Sequence, residues 1–221
     1  MQISMVTGGT LNGVWQDKIK EISNNDILVF GFNGLGLVSY KKELSGETEY
    51  FQDVANLSKQ LSSVVVCGCD TDTYGVFRHS AVIADNGKIL GVSDMIHCVD
   101  ESEFVAGGSL RVYDTHAGRI GIIVENDIFF PDVTSTLNVC DVDIIICVMK
   151  KLNNFMPQIM LRAQAFSNGI AMVLCAKNYG VISDTRGEIV LSSNLDIIST
   201  KIKIEKDYHL ICKKQRGLKK I

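Results

Sequence analysis

Short runs rich in Val and Ile recur along this chain, and turn residues or segments with helical periodicity separate them. The first two runs, Gln2–Val6 and Ile27–Phe30, are typical of buried strands. Between them, residues 14–23 place isolated apolar residues among charged ones, which predicts a surface helix. Residues 47–61 predict a second helix because their apolar residues fall three or four positions apart. Alternation of this kind is typical of an α/β fold built in layers.

From residue 63 onward the pattern changes to consecutive strands joined by tight turns. Asn86-Gly87 indicates a hairpin, because both central residues of a type I′ turn need positive φ. Similar turn sequences at 115–118 and 184–187 predict two later hairpins. The strands that we expect in this half of the chain are 63–69, 76–84, 87–92, 110–114, 119–124, 142–148, 170–176, 180–183 and 188–192. Helices are expected from Pro131 and over 156–168, because proline is tolerated in a first helical turn.

This order of elements predicts one domain, residues 1–221, in which two sheets pack face to face and helices cover both outer surfaces. Strands 119–124 and 142–148 are continuous apolar runs, so we expect both to lie in the interior of a sheet. No low-complexity stretch or internal repeat interrupts the pattern.

Composition excludes several classes of function. The net charge of −3 generates no field that would favour nucleic acid or an anionic membrane, and we predict neither as a partner. No apolar run reaches the roughly 18 residues of a membrane span, and the first residues lack the basic segment of a signal peptide. We therefore expect a cytoplasmic protein.

Neither the cysteines nor the glycines predict a cofactor. The seven cysteines are scattered, mostly within apolar runs, which is typical of free core thiols rather than a metal site. Glycine-rich segments at 8–13 and 31–36 follow strands, but neither has the G-x-G-x-x-G spacing of a dinucleotide site or the sequence of a P-loop. We expect no metal, no nucleotide and no other cofactor.

One ordered set of segments resembles the carbon-nitrogen hydrolase (nitrilase) superfamily. The set spans nearly the whole chain and consists of SAVIADNGKILG at 80–91, Ile96-His97, Asp114-Thr115, GRIG at 118–121, DIFFP at 127–131, RAQAFSN at 162–168 and Gly187-Glu188-Ile189. Each segment alone is weak evidence for the family, whereas the ordered set is specific to it. The resemblance implies a four-layer α-β-β-α sandwich, and it implies a homodimer formed through the outer helices after Glu125 and around 156–168.

Members of that family cleave amides or nitriles with a cysteine nucleophile, a glutamate base and a lysine that stabilises the oxyanion. The nucleophile is expected two residues before Asp127, where this chain has Glu125. The lysine is expected just before Ile96, where it has Met95, and the base is expected after strand Ile27–Phe30, where it has Phe32. Phe32 and Met95 carry neither a titratable proton nor a charge, so neither can act as base or oxyanion donor.

Two hypotheses follow for the former active site. The first is a non-catalytic binding or structural protein. Its pocket either holds a small ligand, in which Glu125 would favour a cationic or hydrogen-donating group, or is filled by Phe32 and Met95. The second is a hydrolase of carbon-nitrogen bonds that uses relocated residues. The candidates for the pocket are Glu101, Glu103, His97, Asn126 and Lys150. His97 is next to Cys98, but neighbours in an extended segment point apart, which favours a structural histidine.

Overall fold

The computed structural model describes residues 1–13, 22, 24–99 and 103–204. Over these residues, strands form two sheets. The first sheet has the order β13-β1-β2-β4-β5-β6, with β3 paired to β4, and the second has the order β12-β11-β10-β9-β8-β7. Strands β1, β2 and β4 run parallel in the first sheet, as do β8, β9 and β10 in the second, and the remaining neighbours are antiparallel except β3 with β4.

The bounds of the elements follow the apolar runs of the sequence. The strands of the first sheet are β1 Gln2–Val6, β2 Ile27–Phe30, β3 Gly36–Ser39, β4 Val64–Thr73, β5 Val76–Asp85, β6 Lys88–Asp94 and β13 Ile197–Lys201. Those of the second are β7 Val112–Thr115, β8 Gly118–Val124, β9 Ile144–Val148, β10 Ala171–Ala176, β11 Tyr179–Ser183 and β12 Ile189–Ser193. The helices are α1 Tyr40–Ser45, α2 Tyr50–Leu61, α3 Pro131–Val139 and α4 Met156–Asn168, and a 3₁₀ helix spans Glu125–Phe129.

Three layers of apolar side chains hold the sandwich together. The central layer lies between the sheets and includes Val66 from β4, Ile122 from β8 and Ile146 from β9. Alternate residues of the same strands point outward, where one layer packs under α2 and another under α3 and α4. The predicted α-β-β-α sandwich is therefore confirmed. Strands β8 and β9 are both interior, as their continuous apolar runs predict.

Most predicted elements are present with shifted ends, and three short ones were not predicted. Asn86 and Gly87 have φ of 48° and 81°, which confirms the type I′ hairpin turn. The predicted strand 63–69 instead continues to Thr73, because it pairs with β5 along its whole length. Strand β3, helix α1 and strand β13 were missed, since runs of four to six partly exposed residues carry little periodicity. The predicted helix 14–23 lies almost entirely outside the described residues.

The ends of the parallel strands position the candidate site. Phe32 follows β2, Glu125 follows β8, and Lys150 follows β9 by two residues. Since the carboxyl ends of parallel strands meet at one edge of a sheet, residues just beyond β8 and β9 become neighbours. The two sheets face each other, so the turn after β2 lies across from them.

Candidate functional site

Two of the three positions that the family pattern assigns to catalysis are packed in the central core. Phe32 and Met95 are only 5% and 1% exposed, and both belong to the apolar layer between the sheets. The ring of Phe32 lies against Gly68 of β4, where an added Cβ would come within 2.9 Å of its Cδ2 atom. The aromatic ring therefore occupies space in which the family pattern expects a carboxylate.

A carboxylate and a histidine form a pair beside the ring of Phe32. Asp70 and His79 are directly opposite each other in the hairpin of β4 and β5. Nδ1 of His79 lies 2.6 Å from Oδ1 of Asp70, and the histidine is only 4% exposed. Burial raises the pKa of Asp70, but hydrogen bonds from His79 and Lys150 outweigh this effect and hold the pKa below its usual value. Asp70 is thus stabilised as a carboxylate inside the sandwich.

Lys150 reaches this pair from the opposite sheet. Its Nζ atom lies 2.8 Å from Oδ2 of Asp70 and is 4.8 Å from the ring centroid of Phe104. The centroid of the Phe32 ring is 5.7 Å away. Both rings are within the distance at which an aromatic face attracts a cation. The ammonium group therefore has one carboxylate and two aromatic rings around it.

Glu125 occupies the turn that the family pattern assigns to the nucleophile. Its φ of 51° is in the left-handed region, which costs a non-glycine residue roughly 1–2 kcal/mol. Oε1 of Glu125 accepts a hydrogen bond from the backbone N–H of Lys150 at 2.5 Å. The carboxylate thus contacts the main chain of Lys150, while the ammonium of the same residue contacts Asp70.

His97 belongs to a different cluster, on the other side of Met95. Its Nδ1 atom lies 3.1 Å from Oδ1 of Asp127, and its ring stacks on Phe130 with centroids 3.8 Å apart. Asp127 is 1% exposed and accepts the backbone N–H groups of Ile96 and His97. Burial raises the pKa of Asp127, and these hydrogen bonds act against that effect. The cluster ties the loop after β6 to the turn after β8.

The contacts described for the Asp70–Lys150 ion pair are with His79, Phe32 and Phe104, and the remaining sequence candidates are not among them. Asn126 is half-buried within the 3₁₀ helix, and Glu103 is exposed. Glu101 lies outside the described residues. The structure therefore brings together Phe32, Glu125 and Lys150 from the sequence candidates.

Sequence reasoning missed Asp70, His79 and Phe104. A signal for the first two existed in the glycine at position 75, which lies between two predicted strands and which the structure places in the turn of the β4–β5 hairpin. Counting outward from that turn pairs Asp70 with His79. It also puts both on the face that carries Val66 and Ala81 of the central core. Phe104 carried no comparable signal, since its position depends on a bridge to Phe77.

The buried thiols cannot replace the missing nucleophile. Cys147 and Cys175 are fully buried, and burial raises the pKa of both thiols, that of Cys175 to about 12. Only the thiolate is nucleophilic, so neither residue provides one at neutral pH. Across residues 1–13, 22, 24–99 and 103–204, no group of three His, Cys, Asp or Glu side chains is arranged to hold a metal ion.

Two facing sheets with helices outside, and a candidate site at the carboxyl ends of strands from both sheets, define an α-β-β-α sandwich. The family model for carbon-nitrogen hydrolases matches residues 12–204. The chain therefore belongs to the carbon-nitrogen hydrolase family.

Relatives of known structure share this fold at low sequence identity. Nit3 of Saccharomyces cerevisiae, a member of branch 10 of the nitrilase superfamily, superposes with a TM-score of 0.78 at 15% identity, covering 99% of this chain and 94% of that one. A variant of the amidase from Nesterenkonia sp. AN1, with acrylamide added to its active-site cysteine, gives 0.79 at 14% identity over 98% and 97%.

One curated relative matches part of the chain. It is the probable nitrilase C965.09 of Schizosaccharomyces pombe, which is 22% identical over 139 residues, or 59% of this chain and 51% of that protein. The match thus spans about half the length of the relative. Among the helices of the described residues, none combines the length and apolarity that a membrane span requires.

Proposed function

We propose that this protein is a non-catalytic member of the carbon-nitrogen hydrolase family, with a binding or structural role at the former active site. The observation that carries the proposal is the state of Lys150. Its ammonium is bound to the carboxylate of Asp70 at 2.8 Å and lies 5.7 Å from the centroid of the Phe32 ring. The cation at the site is thus neutralised by an acid rather than presented to a substrate oxygen.

Hydrolysis by the family mechanism needs three groups at once, and the positions that the resemblance assigns to them hold Phe32, Met95 and Glu125. Phe32 and Met95 are buried in the core and cannot take or donate a proton. Loss of a single oxyanion donor lowers an enzymatic rate by roughly a hundredfold to a thousandfold. Loss of the base and the nucleophile in addition removes the mechanism.

Glu125 has a structural contact that explains its presence in a strained turn. Its carboxylate accepts the backbone N–H of Lys150, which follows the neighbouring strand β9. A carboxylate is a weak nucleophile, and its adduct with an acyl group would be a labile anhydride. This geometry supports a role for Glu125 in joining the two loops rather than in attacking a substrate.

A hydrolase with relocated residues is the second candidate, and one observation favours it. Asp70, His79, Lys150 and Glu125 are all close together at one end of the sandwich. A histidine that is oriented by a carboxylate is the usual form of a general base. Against this candidate, His79 stacks on Phe104 with ring centroids 3.8 Å apart and is nearly enclosed.

A panel of short amides, carbamoyl compounds and nitriles tests the proposal, with an active amidase assayed in parallel as the positive control. We expect no turnover from the wild type or from Glu125→Cys alone, because the new thiol would still face Phe32 and Met95. Turnover is expected only in the triple variant Phe32→Glu, Met95→Lys and Glu125→Cys, if the roughly several kcal/mol cost of burying the new charges still permits folding.

The opposite result would be turnover by the wild type that Glu125→Gln or His79→Gln abolishes. Such a result would establish the second candidate, because each substitution removes a protonatable group while keeping a side chain of similar size. Loss of activity in His79→Gln alone would assign the base to the Asp70–His79 pair.

We also propose that the chain forms a homodimer in the cytoplasm as one domain. Exposed apolar residues at the start of α4 support the dimer: Phe155 is 76% exposed and Ile159 is 52% exposed. Helix α4 and the neighbouring helix α3 are the elements to which the family resemblance assigns the dimer surface. The single domain and the cytoplasmic location follow from the sequence pattern and remain predictions.

A further inference from the structure

The surroundings of the Lys150 ammonium are built from parts that hold one another in place. Asp70 and His79 lie on paired strands, and their side chains are 2.6 Å apart. The His79 ring stacks on Phe104, with centroids 3.8 Å apart and an angle of 22° between planes. Phe32 contacts the same histidine edge to face at 5.8 Å. The Asp70 carboxylate and the rings of Phe32 and Phe104 are therefore all in contact with His79.

Phe104 is fixed by the backbone as well as by its ring. The residue forms a β-bridge with Phe77 of β5, and the next residue, Val105, donates its N–H to the carbonyl oxygen of Phe77 at 2.8 Å. The rings of Phe77 and Phe104 are in edge contact at 6.3 Å. These contacts hold the Phe104 ring beside Asp70 whether or not a cation lies there.

The ammonium of Lys150 is the group that can move away from Asp70 and the aromatic rings. It lies in the loop after β9, on the opposite sheet from Asp70, and its side chain is 40% exposed. By contrast, the side chain of Asp70 is 20% exposed and that of His79 is 4% exposed. A flexible four-carbon chain connects the ammonium to the backbone, so rotation about side-chain bonds moves the cation into solvent while Asp70 and the aromatic rings stay in place.

We propose that Asp70, Phe32, Phe104 and His79 form a cation cage that binds the ammonium group of a small primary amine, and that Lys150 fills this cage until such a ligand displaces it. The inference rests on the proposed function, because it assigns a ligand class to the same non-catalytic site. One Asp70 oxygen accepts a hydrogen bond from the ammonium, and the aromatic faces stabilise its charge without further donors. Glu125 accepts a hydrogen bond from the backbone N–H of Lys150, so a second acidic side chain lies next to the residue that fills the cage.

The tethered lysine is a competitor at high local concentration, so the wild-type cage should bind free amines weakly. Lys150→Ala removes the atoms from Cγ to Nζ, and n-propylammonium is the molecule that replaces them. We expect saturable binding of n-propylammonium to Lys150→Ala by calorimetry and by a shift of the His79 ring resonances. Affinity for the wild type should be lower by at least about tenfold, because the tethered group must first be displaced.

Matched controls separate the cage from general effects of salt or of the alkyl chain. Lys151→Ala removes the exposed neighbouring lysine and should behave as the wild type. 1-Propanol has the same shape as the amine without the charge and should not bind. Asp70→Asn added to Lys150→Ala should abolish binding, and Phe104→Leu added to it should weaken binding about two- to fivefold through the loss of one aromatic face.

Equal binding by Lys150→Ala and by its Asp70→Asn double variant would overturn the proposal, as would the absence of saturable binding in a folded Lys150→Ala. If Lys150→Ala does not fold, the titration is made on Lys150→Ser, which also removes the atoms from Cγ to Nζ, and an absence of any saturable shift of the His79 and Phe104 rings in that folded variant is equally decisive. None of these measurements involves turnover, so the test of the cage is independent of the test of the proposed function. Absence of amine binding would refute the cage without showing catalysis, and detection of hydrolysis would refute the proposed function without excluding amine binding.

Discussion

The packing of Phe32 at the candidate site depends on Gly68, and this dependence can be tested by substitution. A Cβ at Gly68 would lie 2.9 Å from Cδ2 of Phe32, 3.1 Å from the backbone nitrogen of Phe32 and 3.3 Å from the carbonyl carbon of Gly31. Carbon atoms do not approach to 2.9 Å, so Gly68→Ala must move the ring. The other two contacts involve backbone, which cannot yield as a side-chain end can.

We expect Gly68→Ala to lower the free energy of unfolding by about 1–3 kcal/mol, the usual cost of overpacking a well-packed core. Urea denaturation measures this value. Gly108→Ala is the neutral control, because an added Cβ there has no atom within 4 Å, and its effect should stay within about 0.5 kcal/mol. Gly121→Ala is the control for an equally close contact made with a side chain, since the three atoms nearest to its Cβ, at 2.9, 3.1 and 3.3 Å, all belong to the side chain of Leu137.

A double-mutant cycle then identifies Phe32 as the source of the cost. Phe32→Leu alone should destabilise the protein through lost packing, but in the Gly68→Ala background it should cost less by about 1 kcal/mol, because it also relieves the clash. Complete relief is not expected, since the backbone contacts at 3.1 and 3.3 Å remain. Equal stability of Gly68→Ala and Gly108→Ala, or a coupling energy of zero, would show that the Phe32 ring does not lie against Gly68.

Three further predictions concern charge, thiols and assembly. Asp70 has a lowered pKa in the folded protein, so the stability that its carboxylate contributes is complete above the unfolded pKa of about 3.9 and is lost as the pH falls through the lower folded pKa. Urea midpoints should show the wild type to be more stable than Asp70→Asn at pH 7, and the two midpoints should converge below about pH 4. A difference that stays constant with pH would contradict this prediction. The four fully buried thiols have raised pKa values and should not react with a disulfide reagent at pH 8 until urea unfolds the protein; they are Cys67, Cys69, Cys147 and Cys175. Mass spectrometry measures the labelling, and rapid labelling of the native protein would contradict the packing of these residues. Light scattering should give about twice the 24.3 kDa mass of the chain, and Ile159→Asp should reduce it to the monomer value if α4 forms the dimer surface.

The structure shows which side chains surround the candidate site. Phe32 and Met95 pack in the central core, which agrees with the sequence alternative that these side chains fill the pocket. Lys150 and Asp70 also occupy part of the site, although the family pattern does not assign either residue to catalysis. The space is therefore occupied partly by apolar side chains and partly by an internal ion pair.

The sequence by itself determined the layers, and through the family resemblance it singled out three candidate positions. Periodicities of two and of 3.6 residues are local properties, so they predict strands β8 and β9, helices α2 to α4 and the Asn86-Gly87 turn without any knowledge of tertiary contacts. The ordered segments of the family resemblance likewise indicated Phe32, Met95 and Glu125 from their places along the chain. Even the pairing of Asp70 with His79 could have been counted from the turn between their strands.

Only the tertiary structure decided which charged groups meet. Asp70 and Lys150 are distant in sequence and lie on different sheets, so their ion pair depends on the separation of the sheets and on the length of a lysine side chain. The same packing directs His97 to Asp127 and leaves the Glu125 carboxylate on the backbone of Lys150. Contacts of this kind depend on burial, because a carboxylate that is largely shielded from water, such as Asp70, is stabilised by a cation or a hydrogen-bond donor. Which donor lies within reach is a property of the assembled sandwich.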